Sequence, residues 1–537
     1  MEVLVEHMEK VNKYFLPVIF GIGILFILSY YKLRYGIQLI ESDSASDIFY
    51  AYILSQENSL ISKNWFFSTQ LRLFDNELLF ALLFKCFPEI TWWQVEVLGT
   101  ILMNGIMGCA SVFLAYQLGF GCHSLWMFGL SLLPYGESQM YYTLMHGCGY
   151  YGYAITQVYI ILGIYFAIIN AKKKHNFNYI LLILLFLTFS FIIGMQGIRL
   201  IENLYMPLIL GSTIYCCVYR RNTEYANDSQ KNYINCKIFW ISALGTSMAL
   251  GGYFVNKLFL SRKFTWGNID DLIWKEFDLQ AFAIMIRETL SNLGYTKEVN
   301  LFSLGSLSNI ASIIIIIFIT TIIIYNLRKK ENYSFKILLI LFFLCALGIH
   351  FFIYTFLIIE YKPRYMLPFF MILPHIMFST ILKAEKKGMP KKILLAGGII
   401  GIICLNTGYQ THIFGNHGGI ENPDKQREMV TFLLENDFRY GFSTFKYTNS
   451  SVQHSNGKLQ ICPLVSLNTF EKTKWLCTTE QIDLSWSEKT FLIISEEQLS
   501  SENVMSWNKA DRIIWHDGEI CVFEFNSVEE LQKTFNG

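Results

Sequence analysis

Tyr179-Ile180-Leu181-Leu182-Ile183-Leu184-Leu185-Phe186-Leu187-Thr188-Phe189-Ser190-Phe191-Ile192-Ile193 carries no charged side chain, and Lys172-Lys173-Lys174 stands just before it. Taken from 178 to 195, the run would be about 27 Å long as a helix at about 1.5 Å per residue, close to the roughly 30 Å hydrocarbon core of a bilayer. A helix satisfies every backbone N–H and C=O within the segment, which lipid demands. The run therefore reads as a membrane span with a basic flank. The whole chain has the same character. Over 537 residues it is 53% hydrophobic and 16% charged, with a mean hydropathy of +0.36, whereas soluble domains carry about 25% charged residues.

Working outward, similar apolar runs occur near 14–34, 95–117, 120–135, 150–170, 203–219, 238–257, 304–326, 337–359, 365–382 and 392–408. With the first run they predict an all-α polytopic membrane domain of about eleven spans. The third and the last are short. No small-residue cleavage site follows the first run, which reads as an anchor rather than a removed signal peptide. Basic loops fall at Lys172–Lys174, at Arg220-Arg221 with Lys231 and Lys237, at Arg328–Lys330 with Lys336, and from Lys383 to Lys392. All four lie on one side when the spans are counted, and that side is expected to be cytoplasmic. The reading is a multi-pass protein of the cell membrane with a cytoplasmic N-terminus and an extracytoplasmic C-terminus.

Three segments are then exported: 35–94, 258–303 and a tail from 409 to 537, the first two being loops of the 1–408 membrane domain. The tail opens with linker-like Gly415–Gly419 and Asn422-Pro423, and continues with an amphipathic run holding Met429, Phe432, Leu433 and Leu434. Strand-like runs follow at Tyr440–Tyr447, Leu459–Val465, Thr490–Ser495 and Arg512–Phe525, the last broken by the hairpin signal Asp517-Gly518, with a short helix from Val528. A small α/β domain is predicted. Cys462, Cys477 and Cys521 in it allow one disulfide and one leftover thiol. The net charge of +1, with basic residues bunched between apolar runs, leaves no face for nucleic acid.

The chemistry-bearing stretch is Glu41-Ser42-Asp43-Ser44-Ala45-Ser46-Asp47, directly after the first span. As a helix it puts Asp43 and Asp47 on one face, with Glu41 close by. Clustered carboxylates repel one another and suit a general base or a bound cation; the plainer alternative is that Ser42 or Asp43 caps the following helix.

A first span followed by an acidic motif and then Tyr50-Ala51 resembles the GT-C superfamily of membrane glycosyltransferases, notably members related to protein mannosyltransferases and aminoarabinose transferases. Asp43 matches their catalytic Asp, and Ser44 stands where a Glu is usual. Lys362-Pro363-Arg364-Tyr365-Met366-Leu367-Pro368 resembles a segment before a late span in bacterial members. The resemblance implies transfer of a sugar from a polyprenyl-phosphate donor to a hydroxyl of a glycan, lipid or protein acceptor, with inversion and with membrane lipids as surroundings. It implies Asp43 as base, Asp47 or Glu41 as the second carboxylate, and a divalent cation as the one cofactor to consider. Further substrate-binding candidates are Glu137 and His146 in the second exported loop, Arg199, Lys257 and Arg262 for the leaving phosphate, and Arg364 with Tyr365. Rival expectations are a transporter or flippase, an envelope assembly factor, and a polymerase or ligase of lipid-linked glycans.

Overall fold

The computed structural model describes residues 2–68, 71, 73–133, 149–171, 177–220, 228–264, 273–293, 295, 306–328, 335–358, 361–386, 425–467, 470–483, 489–501 and 512–536. From the N-terminus these form α1 (Glu2–Tyr35), α2 (Ser42–Glu57), β1 (Trp65–Phe66), α3 (Glu77–Cys86), α4 (Trp92–Gln117), α5 (Trp126–Leu132), α6 (Gly149–Asn170) and α7 (Phe177–Gly194). Next come α8 (Met206–Arg220), entered through a π-turn at Ile201–Tyr205, α9 (Asp228–Val255), α10 (Leu279–Ser291), α11 (Ser306–Arg328), α12 (Phe335–Phe356), α13 (Leu367–Phe370) and α14 (Leu373–Lys386). The tail supplies α15 (Lys425–Glu435), β2 (Tyr440–Thr444), α16 (Phe445–His454), β3 (Gln460–Leu464), β4 (Cys477–Thr478), α17 (Thr479–Ile482), β5 (Thr490–Ser495), α18 (Glu496–Ser501), β6 (Ile513–His516), β7 (Ile520–Phe525) and α19 (Val528–Asn536).

Among the described residues seven helical stretches are long and apolar enough to cross a membrane: Tyr14–Arg34, Trp92–Gln117, Tyr151–Asn170, Phe177–Gly194, Ile201–Val218, Cys236–Lys263 and Phe335–Phe356. The protein is a membrane-embedded helical bundle with a small sheet near its C-terminus. Two of the remaining expected spans differ. Among the described residues 120–133 the chain forms a 3₁₀ turn and the seven-residue α5, with Gly119 and Gly121 at positive φ ahead of it and Leu133 extended after it. Within 365–382, α13 ends at Phe370 and α14 restarts at Leu373, with Pro374 in its first turn, where a missing N–H costs nothing. The expected span at 304–326 is met from residue 306 on by the 23-residue helix α11. The expected span at 392–408 lies outside the described residues.

One apolar cluster holds the bundle together, with Tyr159, Tyr165, Tyr205, Phe166, Phe342 and Phe369 fully buried in it. Two glycines set the closest approach. A Cβ at Gly194 would lie 1.9 Å from the Ala249 carbonyl oxygen, and one at Gly252 would lie 2.0 Å from that of Phe191, so α7 and α9 touch backbone to backbone. Small residues at helix contacts are how spans pack when lipid offers no hydrophobic drive.

The tail forms a five-stranded sheet in the order β3-β2-β5-β7-β6. β2 runs parallel to both β3 and β5, while β7 is antiparallel to β5 and β6, the β6–β7 hairpin turning at Asp517-Gly518 with Gly518 at φ +87°. Phe491–Ile494 of β5 are fully buried, as a central strand covered on both faces requires. One expected strand is shorter than its sequence run: after Thr444 the chain turns into α16, which brings Tyr447 and Val452 against α2 and α4. The tail and the first loop thus share a second apolar cluster, in which Tyr50, Leu54, Trp65 and Trp92 meet Leu433, Val452 and Ile461. Across this contact β1 pairs antiparallel with β4, Trp65 opposite Thr478.

Candidate active site

α2 begins at Ser42, with Glu41 as an extended N-cap residue whose side chain makes no capping bond. Neither Ser42 nor Asp43 is the cap. The Ser42 hydroxyl instead donates to the Lys446 carbonyl oxygen at 2.8 Å and lies 3.3 Å from the Ser450 hydroxyl, tying the start of α2 to α16. Asp43, in the first turn, is exposed, where the positive end of the helix dipole favours its charge. Asp47, one turn on, is buried, and its Oδ2 accepts a hydrogen bond from Asn76 Nδ2 at 3.2 Å. Asp47 also lines a small pocket with Glu77, Tyr50 and Trp65. The two aspartates, four residues apart, are therefore in different surroundings: Asp43 can meet a substrate, and Asp47 holds the loop before α3. Glu41 is exposed, and its carbonyl oxygen accepts from the Ala45 N–H and the Ser44 hydroxyl.

Arg199 and Arg364, 165 positions apart in sequence, meet around one aromatic ring. Each guanidinium carbon lies 5.9 Å from the centre of the Tyr151 ring; Arg199 also lies 4.7 Å from that of Tyr365 and donates from Nη1 to the Tyr151 hydroxyl at 3.2 Å. Gly197, at φ +117°, makes the turn that starts the next helix with Arg199 in its first turn. The segment carrying Arg364 is braced by α10: Thr289 Oγ1 lies 2.8 Å from the Tyr361 hydroxyl, and Asn292 Nδ2 donates to the Pro363 carbonyl oxygen at 2.9 Å. Burial disfavours charge on Arg364, but Tyr151, Tyr365 and Asp43 outweigh it and hold the guanidinium above its ordinary range. Asp43 is thus within electrostatic reach of Arg364. The Arg364 Nε is buried without a hydrogen-bond partner.

Behind the arginines, Glu202 Oε1 lies 3.0 Å from His350 Nδ1, and His350 Nε2 lies 3.1 Å from Asn203 Oδ1. Tyr354 stacks on Tyr365 at 6.1 Å between ring centres and 17° between planes. Two cations beside one ring repel each other, and an anion between them relieves that repulsion. With Asp43 nearby, the site offers an anion seat, an aromatic wall and an accessible carboxylate.

The other candidates stand elsewhere in the chain. Lys257 is exposed beyond the end of α9, with its ammonium 5.9 Å from the Tyr253 ring, and Arg262 is exposed in the following turn. Both belong to the π- and 3₁₀-turns that continue α9, a different element from those that carry Arg199 and Arg364. Glu137 and His146 lie outside the described residues. Glu41, Asp43 and Asp47 do not bring three potential metal ligands together; among the described residues the one group of three that does is Glu496, His516 and Cys521 in the tail, a carboxylate, an imidazole and a thiol. Sequence reading missed Tyr151, Glu202 and His350, which lie inside or beside apolar runs with no local pattern to mark them. No protein-family model matches the chain, and no curated protein is significantly similar to it.

Proposed function

We propose that this chain is an inverting membrane glycosyltransferase that moves a sugar from a polyprenyl-phosphate carrier to an acceptor hydroxyl at the extracytoplasmic face of the cell membrane. The single observation that carries the reading is the pairing of Arg199 and Arg364 around Tyr151 with Asp43 in electrostatic reach. In the proposed step Asp43 removes the acceptor's proton as its oxygen attacks the anomeric carbon. The bond from that carbon to the phosphate oxygen breaks, and the carrier phosphate leaves with its electron pair. Arg199 and Arg364 stabilise the negative charge it gains, most strongly in the transition state. The GT-C resemblance of the acidic motif and of the segment at 362–368 supports the same reading. Against a transporter stands the position of the Glu202–His350 pair, which adjoins the arginines instead of forming a separate relay along the bundle.

The test is lipid analysis of membranes from cells with and without the gene. A polyprenyl-phosphate sugar that accumulates without the protein, and is consumed when wild type but not Asp43→Asn is restored, is expected. Identical lipid and glycan profiles in all three strains would remove the transferase reading.

A further inference from the structure

The tail brings three metal-binding side chains together from three elements. Glu496 opens α18 directly after β5, His516 ends β6 and Cys521 is in β7. Glu496 Oε2 accepts a hydrogen bond from Cys521 Sγ at 3.3 Å and lies 3.4 Å from His516 Nε2. The three ligand atoms all lie within 4.8 Å of one another. In a tetrahedral zinc site, with bonds of about 2.0–2.3 Å, neighbouring ligand atoms stand about 3.3–3.6 Å apart. Two edges of this triangle already have that length. The third, from sulfur to imidazole nitrogen, closes with a small turn of the His516 side chain, which is 46% exposed.

The backbone fixes the triangle before any ion arrives. The β6–β7 pairing sets Ile513 opposite Phe523, then slips by one residue, so that Trp515 faces Val522 and His516 faces Cys521. Without the slip Trp515 would stand opposite Cys521, and its indole N–H is a donor with nothing to offer a metal. Bulges of this kind re-aim single side chains and recur beside functional sites. On the other side of β7, Cys521 pairs with Ile494 of β5, and the Glu496 N–H donates to the Glu519 carbonyl oxygen at 2.8 Å. Between His516 and Cys521 the turn is pinned by Asp517, whose Oδ1 accepts from the N–H groups of Glu519 and Ile520 at 2.8 Å each. Ligands carried on cross-linked strands need little further ordering.

The depth of each ligand gives the site an entrance. Cys521, 2% exposed, forms the floor, while His516 and the 51% exposed Glu496 form a rim open to water.

We propose that Glu496, His516 and Cys521 bind a zinc ion whose fourth position faces solvent. A thiolate, an imidazole and a carboxylate together suit Zn²⁺, whereas Mg²⁺ and Ca²⁺ take shells of oxygen. On binding, the Cys521 S–H bond is replaced by a sulfur–zinc bond and the proton leaves to water. The ion then straps the β6–β7 hairpin to the end of β5. The site stands on the geometry of the tail and is independent of the transferase reading.

The test titrates Co²⁺, a spectroscopic stand-in for Zn²⁺, into tag-free full-length protein that has been stripped of metal in detergent. One equivalent is expected to raise a thiolate-to-cobalt charge-transfer band in the near ultraviolet, which Zn²⁺ then bleaches. Cys521→Ser should abolish the band. His516→Ala and Glu496→Gln, both at exposed positions, should each weaken Co²⁺ binding at least about tenfold, since even changes behind the ligands cost about 10- to 100-fold. The Cys462→Val/Cys477→Val variant should keep the band. Zn²⁺ should raise the melting temperature of wild type and leave that of His516→Ala where it was. Absence of the band in wild type, its persistence in Cys521→Ser, undiminished affinity in His516→Ala, or its loss in the Cys462→Val/Cys477→Val variant would each overturn the proposal.

Discussion

Arg199 is held between two tyrosines from different parts of the chain, its guanidinium carbon 4.7 Å from the centre of the Tyr365 ring and its Nη1 donating to the Tyr151 hydroxyl at 3.2 Å. A flat cation clamped in this way has its remaining N–H groups pre-aimed, which a flexible ammonium cannot reproduce.

Lysine at position 199 or 364 therefore keeps the charge and loses the fork. Each Arg→Lys variant is expected to lose about tenfold or more in transfer rate while inserting normally, since removing one donor from a developing anion typically costs about 10²- to 10³-fold. The check is single-turnover transfer with detergent-solubilised membranes. Full activity in both variants would leave these residues as helix-boundary anchors.

The two aspartates should separate cleanly. Asp43→Asn keeps size, sits on an exposed first turn and should cost about 10²- to 10⁴-fold in turnover with unchanged protein levels. Asp47→Ala leaves the Asn76 amide without its acceptor and should cost about 1–3 kcal/mol of stability, lowering the melting temperature. Melting curves and turnover measured on the same preparations decide. A destabilised Asp43→Asn with a stable, inactive Asp47→Asn would exchange their roles.

Much of this arrangement was legible in the sequence, and what was not has physical reasons. Spans such as Phe177–Gly194 announce themselves because lipid forbids charge over a whole segment. The sheet in the tail was readable from apolar runs such as Phe491–Ile494, and the Asp517-Gly518 turn from its dipeptide. Arg199 and Arg364 could each be singled out at a helix end, but that they share Tyr151 is a long-range fact no local pattern encodes. The same holds for the tail seated on α2 through Ser42, Lys446 and Ser450, about 400 positions apart, where the sequence reads as a linker-joined module. Asp47 reads as the equal of Asp43 because helical spacing alone cannot say which of two turns is covered.

The four basic loops share one side if every expected span crosses, which predicts that side to be cytoplasmic and the tail to be exported. A phosphatase reporter fused after Gly537 should be active only outside the cytoplasm, and one placed near Lys174 should be silent there. A cytoplasmic C-terminus would put α2, Asp43 and the docked tail on the wrong side for a polyprenyl carrier that delivers sugar outward.

Lys32 and Glu96 form a buried ion pair at 2.6 Å, and Gln453 of α16 donates to the second Glu96 oxygen. α1, α4 and the tail are thereby joined by one carboxylate. Lys32→Met leaves Glu96 buried beside a single amide, and breaking such a pair typically costs about 3–5 kcal/mol. Gln453→Ala should cost less and expose the α2–α16 contact to protease. Limited proteolysis of both variants checks this. Unchanged resistance in both would mean that the apolar contact alone holds the tail.

The thiols of Cys462 and Cys477 make a pH prediction for the tail. Both are free and buried, and burial pushes each pKa up to about 12; Lys472 opposes this at Cys462, and a hydrogen bond from Trp475 opposes it at Cys477. In the unfolded chain a thiol ionises at about 8.5. Below that value both states hold the proton, and these groups give stability no pH dependence. Above it the unfolded state releases protons that the folded state retains, so stability falls as pH rises, from about 8.5 towards about 12. The melting temperature of the full chain in detergent should therefore drop between pH 8 and pH 10.5, and drop less in a Cys462→Val/Cys477→Val variant, which has no thiol to ionise at either position. Because lysines and tyrosines titrate in the same range, the difference between the two drops is the quantity that matters. Equal drops in both proteins would mean that the folded thiols ionise as readily as unfolded ones, and that the pocket around them is open to water.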